Sequence, residues 1–250
     1  MKHRFFVSGD QVQGDTVTFS TEQWHQLHTV LRLRIGDSVG VFDGVEPVDR
    51  RVELVGPATG RVVDQQPQPP EPRTRVVVYP SLLQRDKFEL VLQKLTEVGA
   101  AAIVPVLSAR ALVRQPPDAG RQARWRAILR EAAEQCRRGV VPELLSALDF
   151  TPAIERAMGE GTVVMAYEGE RHGSLRAALA GAQLTVSVFV GPEGGYAPEE
   201  ATAARQAGAQ LVTLGPRVLR TETASPLLAA LVLYELGDLS SAQDDPQSRS

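Results

Sequence analysis

Apolar residues recur along most of the chain in two alternating patterns. Short runs of consecutive apolar residues, typical of buried strands, are followed by longer segments in which they recur every three or four positions, as on one helix face. Segment 87–98 shows the helical pattern, with Phe88, Val91 and Leu95 on one face and Gly99 where helices commonly end. The pattern predicts strands at 75–79, 103–107, 162–167, 185–190 and 210–214, and helices at 87–98, 121–138, 174–180, 198–207 and 224–236. Strands alternating with helices predict an α/β fold with a mostly parallel sheet covered on both faces.

The first 65 residues have a different pattern, in which short apolar runs are separated by Gly/Asp turn signals. Ser20, followed three residues later by Gln23, is a helix N-cap signature, and Trp24 and Leu27 continue at helical spacing. The runs that fit strands are 15–19, 38–42, 51–55 and 60–63. This pattern predicts a small β-barrel with one helix.

A proline-rich segment separates the two patterns. Residues 65–72 read QQPQPPEP, and four prolines in eight residues exclude a helix or a central strand and favour an extended connector. The residues from Asp238 onward have no apolar periodicity and are predicted to be disordered. The predicted organisation is a β-rich domain at 1–65, a linker at 66–73, an α/β domain at 74–237 and a disordered tail at 238–250.

Composition narrows the possible functions. The net charge of −3 argues against a general nucleic-acid binder, although it leaves room for a local basic face. Cys136 is the only cysteine, so no internal disulfide and no cysteine-based metal cage can form, and we expect no metal site. No apolar run approaches the length of a membrane span, and the first residues lack the apolar core of a signal peptide. We therefore expect a cytoplasmic protein that does not bind a membrane.

Two loops that follow predicted strands have an unusual composition. Residues 190–196 read VGPEGGY, in which three glycines and a proline would let backbone amides approach a ligand, although a tight turn has the same composition. Residues 214–224 read LGPRVLRTETA and lead into a strongly apolar helix. Because ligands of open parallel sheets bind at the carboxyl ends of strands, both loops are candidate binding segments. The chain has no GxGxxG, GxxxxGK[ST] or GxSxG pattern, so dinucleotide-binding, P-loop and α/β-hydrolase functions lose their usual support.

Arg220 is the most informative residue of the second loop. It precedes a helix N-terminus, where the helix dipole disfavours a positive charge, so a functional role explains it better than a structural one. Thr221 or Thr223 could cap the same helix or bind a ligand, and the residues alone favour neither role.

The two loops together resemble the paired signature of the RsmE-type family, the 16S rRNA (uracil-N3) methyltransferases of the SPOUT class. The signature segments are GPEGG at 191–195 and LGPRVLRTET at 214–223. Further segments that resemble family motifs are QKLTEVG at 93–99, PVLSAR at 105–110, RW at 124–125 through PE at 142–143, and residues 28–33, 36–37 and 42–44. The resemblance spans nearly the whole chain.

The resemblance implies a fold and a cofactor. The expected fold is a SPOUT-type α/β domain with a C-terminal trefoil knot, preceded by a PUA-like β-barrel, in a protein that works as a homodimer. S-adenosylmethionine is expected to be held in loops of the knot, largely by backbone groups. The residues expected to bind it are Ala166, Gly191, Pro192, Glu193, Gly194, Gly195, Leu214, Gly215, Val218, Leu219 and Arg220.

The implied reaction is methylation of uracil N3 in 16S rRNA of the small ribosomal subunit. Because N3 is engaged in base pairing within a duplex, the base must first be unpaired or flipped out. Its nitrogen then loses a proton while negative charge develops on the ring. We expect Arg220 to stabilise that charge, and Glu193 or Glu222 to accept the proton directly or through water.

Arginines are the expected contacts to RNA. From Arg110 to Arg138 the chain has eight arginines and three acidic residues, a basic stretch that is either an RNA-binding surface or a solvated helix face. The sequence after Cys136 departs from the usual family form, which leaves open which arginine there contacts RNA. The residues expected to bind RNA are Arg4, Arg32, Arg34, Arg110, Arg124, Arg130, Arg137 and Arg138.

Two other functions are compatible with these features. One is a SPOUT methyltransferase that acts on tRNA, and the other is a non-catalytic RNA-binding protein of ribosome assembly. The proline-linked first domain and the segment 93–99 favour the rRNA enzyme over the first. The intact loops at 191–195 and 214–223 argue against the second, because a lost cofactor site would tolerate bulkier residues.

Overall fold

The computed structural model describes residues 3–239 and divides them into two compact units. The first unit comprises the chain up to Glu71 together with Arg130–Val141, and the second comprises Pro72–Leu129 together with the chain from Pro142 onward. The break after Glu71 falls inside the predicted linker at 66–73. The predicted tail at 238–250 lies outside the described residues from position 240 onward.

The first unit is built on one six-stranded sheet. Its elements are β1 (Arg4–Phe6), β2 (Val12–Gln13), β3 (Thr16–Thr18), α1 (Thr21–His25), β4 (Ser38–Phe42), β5 (Val48–Gly56) and β6 (Thr59–Pro67), with a 3-10 turn at Gly9–Gln11 and a π-helical segment at Gln26–Val30. The strand order is β1-β4-β5-β6-β3-β2, and every neighbouring pair is antiparallel except the parallel pair β1–β4. Its core contains Phe5, Val7, Val17, Phe19, Leu27, Val39, Val41, Val52 and Leu54.

The predicted helix of the first unit begins as its sequence indicates. The Ser20 hydroxyl accepts a hydrogen bond from Gln23 N, and the Gln23 side chain accepts one from Ser20 N, which is a reciprocal capping box. The strands differ from expectation in two ways: β1 and β2 were not predicted, and β6 continues to Pro67, within the predicted linker. Pro67 pairs only with Val48 of β5, and β3 on the other side of β6 pairs no further than Arg61, so the missing N–H of proline is not needed there.

The second unit is an α/β fold. It contains β7 (Arg75–Pro80), α2 (Arg85–Val98), β8 (Ala102–Ile103), β9 (Val106–Leu107), the part of α3 (Ala119–Cys136) before Arg130, β10 (Glu143–Leu144), β11 (Leu148–Asp149), α4 (Phe150–Glu160), β12 (Thr162–Ala166), α5 (Leu175–Ala178), β13 (Thr185–Val190), α6 (Pro198–Ala207), β14 (Gln210–Val212) and α7 (Thr221–Glu235). The main sheet has the order β10-β8-β7-β13-β12-β14, and every neighbouring pair in it is parallel. The prediction of an α/β fold with a parallel sheet is therefore confirmed.

Both faces of the central strands are buried. Val77 and Tyr79 of β7 pack in one apolar cluster with residues of α4 and α6. Val76 and Val78, which alternate with them and so point to the opposite face, are also fully buried, and α7 packs against β7 and β13. Helix α4 was not among the predicted elements, although its buried residues Phe150, Ala153, Ile154 and Ala157 have helical spacing.

Within residues 3–239, no helix combines the length and the apolarity needed to cross a bilayer.

A buried ion pair in the turn between β4 and β5 gives a first testable prediction. The Asp43 carboxylate accepts hydrogen bonds from the backbone N–H groups of Val45 and Glu46 and from Arg50 Nη1 at 3.0 Å. Burial alone would raise the pKa of Asp43. The two backbone donors and the charge of Arg50 together lower it by more, so the pKa lies below its ordinary value. A carboxyl whose pKa is lowered by folding stabilises the protein above its unfolded pKa of 3.8, and this contribution is lost as the pH falls through the folded pKa.

Asp43→Asn should therefore lower the free energy of unfolding at pH 7 by about 1–3 kcal/mol, because Arg50 loses the buried one of its two charged partners and keeps only Glu46. Urea denaturation of both proteins should show this difference shrinking as the pH falls below 3.8. The matched control is Asp10→Asn at an exposed position, which should change the free energy of unfolding little at any pH. A difference for Asp43→Asn that is constant with pH would contradict the role given to the ionised carboxylate.

Candidate active site

Three loops of the second unit meet at one edge of its sheet. They follow β12, β13 and β14, which are adjacent parallel strands, so their carboxyl ends lie side by side. Hydrogen bonds join the loops to one another: Thr213 N donates to Gly173 O at 3.0 Å, and the Thr221 hydroxyl donates to Gly191 O at 2.7 Å. The two loops singled out in the sequence, at 190–196 and 214–224, are thus brought together with a third at 167–173.

The loops enclose a cavity of about 400 Å³, a size typical of small-molecule binding sites. Eight of the residues expected to bind the cofactor lie on its wall: Ala166, Gly191, Pro192, Gly195, Leu214, Gly215, Val218 and Leu219. The wall also contains residues that the sequence reasoning did not select: Tyr167, Glu168, Glu170, Arg171, Val190, Tyr196, Thr213, Pro216, Arg217, Thr221 and Ala224. The charged residues of the loop after β12 could have been found from their place behind a strand end, which is where ligands of parallel sheets bind.

Two positions of the wall disfavour any residue other than glycine. A Cβ added to Gly191 would lie 3.1 Å from Cδ2 and 3.2 Å from N of Tyr196, closer than side chains normally pack. Gly195 has φ +64°, in the left-handed region that side chains rarely adopt, and an added Cβ would lie 3.4 Å from a carboxylate oxygen of Glu168. The glycines thus keep the backbone of this loop bare where it faces the cavity.

Glu170 orders the loop after β12. Its carboxylate accepts hydrogen bonds from the backbone N–H groups of residues 171, 172 and 173 and from Arg205 Nη2 at 3.0 Å. The donors at His172 and Gly173 are the main reason that the pKa of Glu170 lies below its ordinary value. The carboxylate therefore stays ionised and holds the turn. Glu168, by contrast, has no ion-pair or hydrogen-bond partner among the described residues.

Tyr196 forms an uncharged part of the wall. Burial raises the pKa of its phenol well above the ordinary value, so the hydroxyl stays protonated.

Three residues expected at the cofactor lie off the cavity wall. Glu193 Oε1 accepts a hydrogen bond from Lys87 Nζ at 2.8 Å. Gly194 faces Arg110, whose Cβ would lie 3.4 Å from a Cβ added to the glycine. Arg220 is the N-cap residue that precedes α7, next to the wall residues Leu219 and Thr221, and its side chain is 82% exposed.

The two candidate proton acceptors differ in their surroundings. Burial alone would raise the pKa of Glu193. The hydrogen bond and charge of Lys87 lower it by more, so the pKa lies below its ordinary value. The carboxylate is therefore a weak base. The Glu222 side chain is 12% exposed, and its Oε1 lies 4.0 Å from Arg220 Nη1. Its Oε2 is buried without a hydrogen-bond partner among the described residues.

The arginines expected to bind RNA fall in both units. In the first unit, the side chain of Arg4 is 8% exposed, pairs with Asp49 at 2.7 Å and donates to the carbonyl of Arg138. The side chain of Arg138 is also 8% exposed and pairs with Glu71. Both would have to leave these partners to contact a phosphate. Arg32, Arg34, Arg130 and Arg137 of the same unit are exposed.

In the second unit, the other two predicted arginines contact their own chain. Arg124 Nε pairs with Glu89 Oε1 at 2.6 Å, and Arg110 Nη1 donates to Gly194 O at 3.3 Å. Both remain exposed to solvent.

Comparison with known proteins agrees with this fold. Residues 69–233 match the RNA methyltransferase domain family, a range that contains most of the second unit together with Arg130–Val141 of the first. The ribosomal RNA small subunit methyltransferase E of Mycobacterium tuberculosis is 35% identical to this chain over 96% of this chain and 93% of that protein. The protein of the same name from Bacillus subtilis is 28% identical over 93% and 96%. The chain belongs to the ribosomal RNA small subunit methyltransferase E family.

A solved structure extends the similarity to three dimensions. The ribosomal RNA small subunit methyltransferase E of Neisseria gonorrhoeae, bound to S-adenosyl methionine, superposes with a TM-score of 0.81 at 30% identity, covering 94% of this chain and 98% of that chain. The similarity therefore includes both units.

Proposed function

We propose that this protein transfers a methyl group from S-adenosylmethionine to N3 of a uracil in 16S rRNA. The observation that carries the proposal is the cavity at the sheet edge, built from the loops at 191–195 and 214–220, in a family whose Neisseria gonorrhoeae member binds S-adenosyl methionine. The small-subunit rRNA substrate follows from the names of the relatives, and uracil N3 from the resemblance of the two loops.

The wall of the cavity fits this cofactor. Gly191 and Gly195 leave bare backbone that can approach an adenine ring closely, and a side chain at either position would meet Tyr196 or Glu168. S-adenosylmethionine carries a net positive charge through its sulfonium and ammonium groups, and Glu168 supplies a carboxylate that is not already paired within the described chain. We propose that Gly191, Pro192, Gly195, Leu214, Gly215, Val218 and Leu219 hold the cofactor by backbone and apolar contacts. The bound cofactor supplies the electrophilic methyl group.

The chain's own residues then act on the uracil. Arg220 lies beside the cavity wall with an exposed guanidinium, a suitable place to bind the uracil oxygens and stabilise negative charge as N3 loses its proton. Of the two candidate proton acceptors we favour Glu222, because Lys87 already engages Glu193 and lowers its pKa. No described residue donates to Glu222 Oε2, although this oxygen is buried and Glu222 lies off the cavity wall.

We also infer three finer features from the family resemblance. The loops at 167–173, 191–197 and 213–220 would belong to a C-terminal trefoil knot, in keeping with the hydrogen bonds that tie them together. The first unit would be a PUA-like β-barrel, in keeping with its largely antiparallel six-stranded sheet. A homodimer would cover the exposed apolar side chains Val218 and Tyr234, and light scattering of the purified protein would give its mass.

The reaction is tested by methyl transfer to isolated 30S subunits, to deproteinised 16S rRNA and to bulk tRNA, with labelled S-adenosylmethionine. Mass mapping of the modified nucleotide should find a methyl group on uracil N3 in the 16S rRNA. Methylation of tRNA alone would favour the tRNA enzyme, and cofactor binding without methylation of any RNA would favour a non-catalytic RNA-binding protein.

A further inference from the structure

Two arginines on the cavity wall have no partner within the described chain. Arg171 lies in the loop after β12 and Arg217 in the loop after β14, and both are exposed. Other arginines near the same loops lie close to acids, since Arg205 pairs with Glu170 at 3.0 Å and Arg220 lies 4.0 Å from Glu222. Among the described residues, Arg171 and Arg217 are thus the two wall arginines without a partner, and Glu168 is the one wall carboxylate without one.

The backbone under both arginines is fixed. Glu170 accepts a hydrogen bond from Arg171 N itself and from the next two backbone N–H groups. The adjoining Gly173 is packed against Leu211, where an added Cβ would overlap the Leu211 carbonyl oxygen, and its own carbonyl accepts from Thr213 N. On the other loop, Pro216 restricts the backbone immediately before Arg217. The two guanidinium groups therefore extend from two loops that are joined by a backbone hydrogen bond.

We propose that Arg171 and Arg217 bind phosphates of the RNA strand next to the nucleotide whose base enters the cavity. This proposal rests on the proposed function and deepens it, because it assigns a phosphate-binding site to the same cavity. A base that leaves its stack turns about its own backbone, so cations that hold the flanking phosphates favour the extruded state. Arginine suits this contact because its planar fork matches phosphate oxygens.

The cofactor explains the two charges less well than RNA does. S-adenosylmethionine has one carboxylate but a net positive charge, and two further cations beside it would raise its free energy of binding. Both side chains are also exposed to solvent, where a polyanion arriving from outside meets them first.

The test compares Arg171→Ala, Arg217→Ala and the double variant with the wild-type protein. The control is Arg176→Ala, since Arg176 is exposed and near the same loop but pairs with Glu235 and lies off the cavity wall. The dissociation constant for in vitro transcribed 16S rRNA is measured at several salt concentrations, and that for S-adenosylhomocysteine by calorimetry. We expect the negative slope of log K against log salt to become shallower by about one for each arginine removed. The affinity for S-adenosylhomocysteine should stay unchanged, and Arg176→Ala should have the salt slope of the wild-type protein.

Three outcomes would overturn the proposal. An unchanged salt slope in the double variant would remove the phosphate contacts. A weakened S-adenosylhomocysteine affinity with unchanged RNA affinity would assign the arginines to the cofactor carboxylate. An equal loss of RNA affinity in Arg176→Ala would show that removing any positive charge near the loops has the same effect. The RNA arm needs no turnover, so it gives its answer even if the wild-type protein methylates no uracil and the proposed reaction fails.

Discussion

Arg220→Ala is expected to lower kcat for methylation of 16S rRNA about 10²–10³-fold, the usual cost of removing one donor that stabilises developing negative charge. The dissociation constant for S-adenosylmethionine should stay within about twofold, because Arg220 lies beside the cavity wall and not on it. Rates at saturating RNA and cofactor, together with calorimetric binding of the cofactor, separate the two quantities.

The variant should fold normally. The Arg220 side chain is 82% exposed and makes no capping hydrogen bond to α7. Its removal also takes a positive charge away from a helix N-terminus, where such a charge is disfavoured. The melting temperature should therefore stay the same or rise slightly.

Two further variants sharpen the result. Arg220→Lys keeps the charge but loses the planar fork, so it should recover only part of the rate. Arg176→Ala removes an equally exposed arginine that is paired with Glu235, and it should leave kcat unchanged. An Arg220→Ala protein with normal kcat would remove Arg220 from the mechanism, and one that has lost cofactor affinity instead would make it a cofactor ligand.

Local signals predicted much of the fold because they are carried by neighbouring residues. The capping pair Ser20 and Gln23 and the end of α2 at Gly99 both formed as their spacing indicates. Helix α4 was missed although Phe150, Ala153, Ile154 and Ala157 have the right spacing, because the strand before it, β11, has only two residues and gives no recognisable pattern.

Local sequence patterns do not predict which side chains pair when they lie far apart in the chain. Nothing in the sequence around Arg4 indicates that its side chain pairs with Asp49, 45 positions away, or that Arg138 pairs with Glu71. Both were therefore expected to bind RNA on charge alone.

The candidate site was predictable to the level of its loops but not of single side chains. The composition of residues 190–196 marked a binding loop, yet Gly191 and Gly195 face the cavity while Gly194 faces Arg110. Orientation within a turn depends on each backbone dihedral, and a string of glycines leaves these open. The unpaired charges of Glu168 and Arg171 depend in turn on which acids and arginines are already paired elsewhere.

Gly191→Val is expected to abolish most cofactor binding. The new Cβ would lie 3.1 Å from Cδ2 and 3.2 Å from N of Tyr196, so this buried residue and the loop would have to separate by a few tenths of an ångström. The carbonyl of Gly191 is also held by the Thr221 hydroxyl at 2.7 Å, so the loop cannot move as a whole without breaking its link to α7. Overpacking of this kind costs about 1–3 kcal/mol, and it arises against Tyr196 with or without the cofactor. Relieving it requires the backbone at 191–195 to leave its wild-type position, which S-adenosylmethionine needs, so the dissociation constant should weaken roughly 5- to 150-fold.

The control is Gly159→Val, which shows whether a valine in place of a glycine away from the cavity also weakens cofactor binding. Gly159 lies in α4, away from the wall, with open space around an added Cβ. Gly159→Val should bind the cofactor as the wild-type protein does and keep its melting temperature. Calorimetry and thermal melting of both variants decide between the alternatives. If Gly191→Val melts normally but binds no cofactor, Gly191 lies at the cofactor, because only the bound state has been lost. If it melts normally and binds S-adenosylmethionine with unchanged affinity, the cofactor site lies elsewhere, and the proposed roles of the loops at 191–195 and 214–220 fail together.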